Sequence, residues 1–347
     1  MLYGGTELFL AQLAEGLHQR GIDVVVYTNG ESTLDLPKRW LYEKAQWPIR
    51  GEVYDNLKDI NHTTWAIADA AHSCDIIHLN NAPGLTCSRL VRAPFVYTVH
   101  HPHEDALSAF YSYFPEVYYV TISDFQRQLE TMPRRRTIHH GLDLSRYELR
   151  EHKQDYLSFI GRIAPVKGPH LAIAAAQKAG IPLKIAGEVQ PIFRDYFEQQ
   201  IKPHLDGKFI EYVGEADLKA KNELLGNSRA MLFPIQWDEP FGLVMIEAMA
   251  CGTPVLALPG GSVPEIVCDG VSGWLCHSLE ELADRARNLD MQPAAVRRYT
   301  EQFFSLGRMI SDYVDLYMKM LGPVAQDEIP SPAARDDELA GQPRTAA

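Results

Sequence analysis

Read for its apolar and polar positions, the chain alternates short, β-branched apolar runs with longer stretches of helical period, almost from end to end. That alternation predicts a parallel sheet wrapped by helices. Strands buried on both faces read as continuous apolar runs, and parallel neighbours need a crossover between them. In the first half the predicted strands are Asp23–Thr28, Asp75–Leu79, Phe95–His100, Val117–Ser123 and Thr137–His140. In the second half they are Tyr156–Ile163, Leu183–Gly187, Phe209–Gly214, Ala230–Pro234, Pro254–Leu258 and Gly273–Cys276. Helices are predicted at Thr6–Arg20, Pro169–Ala179, Pro191–Pro203, Asp217–Asn227, Gly242–Cys251 and Leu279–Leu289. A last helix, about Ser305–Leu321, carries Met309, Ile310, Tyr313, Leu316, Tyr317 and Met320 at helical spacing.

The polar stretch Asp143–Gln154 has no strong period and divides the chain. Two units are expected, residues 1–148 and 149–304, with the helix 305–321 returning to the first. The length of 347 residues agrees with two domains. Residues 323–347 hold four prolines and a net charge of −3, the composition of a disordered tail. The opening is of another kind. The segment YGGTELFLAQLAEGLHQRG is a Gly-rich turn leading into an amphipathic helix, and such a turn normally follows a strand. Only Met1 and Leu2 precede it. The expectation is therefore a first unit lacking its central strand, with two interior edges unpaired. Its soluble yield should be lower than that of a chain extended upstream by about ten residues.

Charge narrows the possible partners. Thirty-three Lys and Arg stand against 45 Asp and Glu, a formal charge of −12. Such a balance disfavours a general nucleic-acid binder and electrostatic docking on an anionic membrane. No apolar run approaches the ~20 residues of a spanning helix, and no secretory leader opens the chain. Cys74, Cys87, Cys251, Cys268 and Cys276 are scattered without CxxC or zinc spacing, which suggests reduced thiols in a cytoplasmic protein.

Three stretches carry chemistry. In Phe233–Ala257 a strand ends at Pro234, a loop holds Asp238 and Glu239, and a helix begins at about Gly242. The backbone N–H groups of Gly242, Leu243 and Val244 would form an anion site at that start. Glu239 and Glu247, eight apart, could bind hydroxyls on two sides of a phosphate. Alternatively, Glu239 caps the helix and Glu247 is a solvated helix residue; taken alone, the surface reading is favoured for Glu247. In Ser158–His170, Arg162 and Lys167 follow a strand, where α/β sheets bind ligands. They suit a diphosphate, or they are exposed loop cations. In Val96–Asp105, His100, His101 and His103 follow a strand. Neighbours on a strand point to opposite faces, so a single cleft-facing histidine, His100, is preferred over a metal site. The run Arg134–Arg136 is read as a solvated loop rather than a phosphate or membrane contact.

Together these motifs resemble the family 4 retaining glycosyltransferases, which have the GT-B fold of two facing Rossmann-like domains. The resemblance runs from Tyr3 to about Leu321. It rests most specifically on EPFGLVMIEAMACGTPV and, behind it, GGSVPEIVCDGVSGWL at Gly260–Leu275. YGGTE, TVHH, TISDFQR, HHGLD and GRIAPVKG support it in the family's order. The resemblance implies a donor of the UDP- or GDP-sugar type, glucose and mannose being the default sugars, and an unnamed acceptor bound mainly by the first domain. Arg162 and Lys167 would neutralise the diphosphate, and Gly242, Leu243 and Val244 would donate to it. Glu239 would face the transferred sugar and Glu247 the ribose, the pair forming the E-x7-E signature. Gly4 and Gly5 would close on the diphosphate, and His100 would lie near sugar and acceptor. Gly187 and Glu188, with Val213–Glu215, would line base and ribose. No cofactor or divalent metal is implied. A GT-B-fold epimerase or hydrolase, or an inactive nucleotide-sugar-binding homologue, are the competing readings.

Overall fold

The computed structural model describes residues 5–45 and 53–322, so Gly4 and the expected tail lie outside the described residues. The second half holds a six-stranded, wholly parallel sheet. Its strands are β7 (Leu157–Ile160), β8 (Leu183–Ala186), β9 (Ile210–Gly214), β10 (Ala230–Phe233), β11 (Val255–Ala257) and β12 (Gly273–Leu275), in the order β12-β11-β10-β7-β8-β9. One face is covered by α5 (Pro169–Ala179) and α10 (Leu279–Arg287), whose apolar residues join Leu157, Phe159, Leu183 and Leu232 in one core. The other face packs α7 (Leu218–Asn227), α8 (Leu243–Ala250) and α11 (Pro293–Phe303) through Leu225, Met245, Ile246, Met249 and Val296.

The first half has a four-stranded parallel sheet of β3 (Ile77–Leu79), β4 (Phe95–Val99), β5 (Tyr118–Thr121) and β6 (Arg135–Thr137). Helix α2 (Val53–Ala70) and α3 (Asp105–Tyr111) contribute to one core with β3, β4 and β5. On the other face, α1 (Gly5–Gln19) and α12 (Leu306–Leu321) share a cluster with Val96, Val120 and Ile138. The two helices cross so closely that a Cβ on Gly16 would stand 2.5 Å from Ile310 Cγ1. The chain's last described helix thus completes the core of its first half. The predicted strand Asp23–Thr28 is only β1 (Val26–Tyr27), paired in parallel with an unforeseen β2 (Lys38–Arg39) as a separate two-stranded sheet. Among the described residues, β3 has a hydrogen-bonded strand on one side only.

Three other expectations are corrected. The helix expected over Pro191–Pro203 breaks into a 3-10 turn, a three-residue α6 (Arg194–Tyr196), a π turn (Phe197–Ile201) and a second 3-10 turn (Lys202–His204). Pro203 has no N–H to give, and its ring clashes with the carbonyl four residues back. The strand expected at Thr137–His140 lies earlier, at Arg135–Thr137. The run Arg134–Arg136, expected as a solvated loop, instead enters β6 at Arg135, with Arg134 stacked on Tyr118 and Arg135 donating to the carbonyls of Arg127 and Met132.

A buried polar chain ties α12 to the sheet. His78 hydrogen-bonds Tyr317 Oη at 2.7 Å and Thr98 Oγ1 at 2.8 Å, and Thr98 meets Tyr313 Oη at 3.1 Å.

Candidate active site

The carboxyl ends of the second sheet are built from glycines that let backbones touch. A Cβ on Gly187 would stand 1.8 Å from the Gly161 carbonyl oxygen, and one on Gly168 (φ +71) 2.0 Å from that of Pro234. The turn between β7 and α5 is thereby pressed against the end of β10, which carries Lys167 toward the loop after Pro234. There the Lys167 ammonium pairs with the Glu239 carboxylate and lies 4.5 Å above the Trp237 ring. Trp237 Nε1 donates to Glu239 Oε2 at 2.9 Å. Glu239 is only 6% exposed. Its backbone is braced from below: Ser262 N donates to its carbonyl at 2.9 Å, and a Cβ on Gly261 (φ +59) would be 2.3 Å from the same oxygen.

Helix α8 starts at Leu243, one residue later than expected, with Gly242 (φ +80) as its N-cap and no side-chain cap. The capping role considered for Glu239 is therefore absent. The uncapped N–H groups and the positive end of the helix dipole lie at the junction of the two halves. A Cβ on Gly5, at the start of α1, would stand 3.2 Å from Leu243 Cδ1. Arg162 and Glu188 are exposed, and the Glu188 carbonyl accepts from Ile163 N at 2.9 Å. The surface reading of Glu247 is overturned, since that carboxylate is 1% exposed. Lys221 Nζ reaches both its oxygens at 3.1 and 2.9 Å, and the Tyr147 hydroxyl donates to Oε1 at 3.0 Å.

In the first half the three histidines after β4 do not converge. His100 Nε2 meets Asn80 Oδ1 at 2.9 Å, His101 Nε2 meets Tyr111 Oη at 2.5 Å, and His103 Nδ1 meets Glu130 Oε1 at 3.0 Å. His100 stacks on His140, centroids 5.8 Å apart at 6°, and His140 stands edge-on to Phe241 at 4.9 Å. Phe241 belongs to the Glu239 loop, so a row of rings crosses from His100 to the second half. His140 was not expected there. Its Nδ1 is buried and has no hydrogen-bond partner among the described residues.

Burial, then a neighbouring histidine, pushes His78 down to about 3 and His100 down to about 4. Burial also holds His140 well below the usual imidazole range, with His100, His139 and Arg308 adding to it. Lowered folded-state values mean that the unfolded chain binds protons first as pH falls. The stability these neutral rings provide is complete above about 6.5 and drains away as pH falls toward 4 and below, by up to ~1.4 kcal/mol per pH unit for each ring. Melting temperatures recorded from pH 7.5 to 4.5 should hold to about pH 6.5 and fall below it, less steeply in His78→Gln. An unchanged slope in that variant would remove His78 from the account.

One further group was not foreseen. Glu265, on the four-residue α9 (Val263–Ile266), reaches across to α4 (Asp124–Leu129). Its carboxylate accepts from the backbone N–H of Asp124 at 2.7 Å, from that of Phe125, and from His139 Nε2 at 2.9 Å. Gln126 of α4 donates in turn to the carbonyls of Val99 and His101, beside His100. The segment that braces Glu239 is thus clasped to the segment that braces His100. Asp124, His139 and Glu265 also have the spacing of a cation site, their ligand atoms lying within 4.8 Å of one another. Donors already sit on both carboxylates: Thr137 Oγ1 and Arg127 Nε on Asp124 Oδ1, and two backbone N–H groups and His139 on Glu265.

Residues 3–146 match the family model for glycosyltransferase family 4, and residues 143–302 match that for glycosyl transferases group 1. The D-inositol 3-phosphate glycosyltransferase of Mycolicibacterium smegmatis is 31% identical over 197 residues, 52% of this chain and 44% of that protein. The glycogen synthase of Mycobacterium tuberculosis is 32% identical over 172 residues, 46% of this chain and 41% of that protein. These matches span less than half of each relative's length. The D-inositol 3-phosphate glycosyltransferase of Mycobacterium avium is 26% identical over 349 residues, covering 84% of this chain and 81% of that protein. Among solved structures, sucrose-phosphate synthase from Thermosynechococcus elongatus superposes with a TM-score of 0.76 at 19% identity, covering 92% of this chain and 94% of that one. Anabaena Alr3699/HepE, solved with UDP and glucose, gives 0.73 at 18% identity, covering 91% and 96%. At these identities the structural likeness is one of fold.

Proposed function

Since this chain belongs to the family 4-type glycosyltransferases of GT-B fold, we propose that it moves a hexose from a nucleotide diphosphate sugar to an acceptor hydroxyl with retention of anomeric configuration. The observation that carries this reading is the meeting of Glu239, Lys167 and the uncapped start of α8 at the junction of the halves. We assign the donor to residues 149–304, and the acceptor to residues 1–148 with the return helix 305–321. Reduced thiols suit a cytoplasmic setting; all five cysteines are unpaired.

The step breaks the bond between C1 of the sugar and the phosphate oxygen and forms one from C1 to the acceptor oxygen on the same face. The acceptor proton passes to the departing phosphate oxygen. Negative charge grows on the diphosphate as it leaves, and fixed cations and backbone donors lower the energy of that state without reorganising. Arg162, Lys167, Gly5 and the N–H groups from Gly242 to Val244 fill this role. In the free protein Lys167 is neutralised by Glu239. Donor binding gives Lys167 a diphosphate and releases Glu239 to the sugar hydroxyls. The ribose falls to Glu247, a carboxylate already oriented by Lys221 and Tyr147, and Gly187 and Glu188 line the nucleoside. His100, neutral at physiological pH, stays beside the transferred sugar as a hydrogen-bonding group. No residue role in this scheme calls for a divalent metal.

The test is a thermal-shift panel of UDP, GDP and ADP. A nucleotide at 100 times its Kd stabilises the folded state by about 2.7 kcal/mol. UDP is tried first because Alr3699/HepE was solved with it. Nucleoside diphosphate release that rises with acceptor supports transfer. Release indifferent to acceptor points to a hydrolase, and a panel without any shift overturns the reading.

A further inference from the structure

A crevice of about 110 Å³, several times the room a single water needs, opens between the first half and the loop that carries Glu239. One wall is Pro102, His103, Phe125, Gln126 and Leu129 of the first half; the other is Asp238 and Pro240, the two chain neighbours of Glu239. We propose that this crevice is the acceptor subsite and that it selects an uncharged, hydroxylated ring over a phosphorylated one. The inference rests on the donor assignment made above and adds the class of acceptor.

The argument is one of available charge. Two charged side chains line the crevice, Asp238 and His103. His103 is held between Glu130 Oε1 at 3.0 Å and Asp105 Oδ1 at 3.2 Å. Burial works against its charge, but these two carboxylates outweigh it and raise its affinity for the proton. Glu130 is 2% exposed, and its other oxygen has no hydrogen-bond partner among the described residues. The His103 ring is therefore committed to a buried carboxylate. An anion that drew it away would strand that charge in a low-dielectric setting, which is strongly unfavourable. Among the described residues lining the crevice, a phosphate meets no unengaged cation, and it faces the Asp238 carboxylate. Lys167, paired with Glu239, is needed by the donor.

A neutral polyol fits both wall types. Its hydroxyls can donate to the exposed Asp238, while Pro102, Phe125, Leu129 and Pro240 offer apolar surface to the C–H face of a ring. Gln126 takes no part in recognition, because its side chain is spent on Val99, His101 and Ile122. Glu265, from the second half, accepts from the Phe125 N–H in one wall of the crevice.

The experiment measures nucleoside diphosphate release from the donor identified by the nucleotide panel. Matched acceptor pairs are used: myo-inositol with its 3-phosphate, and glucose and mannose with their 6-phosphates. The expected result is that the neutral member of at least one pair accelerates release over water, with kcat/KM at least tenfold above its phosphate ester. Asp238→Asn should raise KM for that neutral acceptor by roughly tenfold, the scale of one charge-assisted hydrogen bond, and leave UDP binding by calorimetry unchanged. Preference for the phosphate ester, equal rates, or no response to any neutral ring while UDP still binds and is still released slowly, overturns the acceptor assignment alone. Loss of both nucleotide binding and donor turnover would instead overturn the glycosyltransferase reading on which it stands.

Discussion

Glu239→Ala is expected to lower kcat by roughly two to three orders of magnitude, the usual effect of removing one group that acts on the developing transition state. Nucleotide affinity should hold or tighten. In the native protein Glu239 neutralises Lys167, so its removal leaves that ammonium to the diphosphate alone. The two readouts therefore move in opposite directions, which simple unfolding would not produce. Glu239→Gln separates charge from shape: its amide oxygen can still accept from Trp237 Nε1, so the loop keeps its form while the charge is lost. Steady-state rates and calorimetric UDP affinity on both variants are the measurement. A kcat within a few fold of the native value, or affinity lost in parallel with rate, would take Glu239 out of the reacting centre.

The largest effect on stability is expected at Lys221. Lys221→Met should cost about 3–5 kcal/mol, seen as a lower urea midpoint, because it leaves Glu247 charged at 1% exposure. The double change Lys221→Met, Glu247→Leu should recover most of that loss, since a buried ion pair and a packed apolar pair of similar volume differ little in net stability. Activity then divides the roles. If Glu247 holds ribose, the refolded double variant melts like the native protein yet binds UDP at least tenfold more weakly. A double variant as unstable as the single one would mean that Glu247 has other partners that matter more than Lys221.

The first prediction joins two residues legible in the sequence, Glu239 and Lys167; the second joins one that was, Glu247, to one that was not. The spacing of Glu239 and Glu247 around a strand, a glycine and a helix was readable because it lies in one continuous stretch with a clear change of period. Lys221, 26 residues upstream of Glu247, and Tyr147, 100 residues upstream, were not. α7 reads LKAKNELLGN, where a lysine looks like any solvated face, and only the packing of α7 on α8 turns it inward. Glu265 was hidden for another reason: a four-residue helix has no period to detect. α4 did carry a signal that went unused. Ser123 caps it by accepting from Gln126 N, and Gln126 returns the bond to Ile122 N, close to the Ser-x-x-Gln pattern of a capping box. β1 and β2 are two residues each, too short for alternation to mark. The six-stranded sheet was the most legible element, since apolar runs buried on both faces have no competing explanation.

The union of α1 and α12 bears on how the protein comes into being. Phe9, Leu13 and Leu17 share a cluster with Met309, Ile310, Tyr313 and Met320, and with Val96, Val120 and Ile138 of the first sheet. A nascent chain leaves the ribosome from its N-terminus, so that cluster stays open until α12 has been synthesised. The second sheet draws its cores from residues about 122 to 304, all of which emerge before the core residues of α12. Domains usually mature in order of synthesis. Here the later half can close first, and the earlier one waits, with its apolar face in the care of whatever holds it, until the last helix arrives.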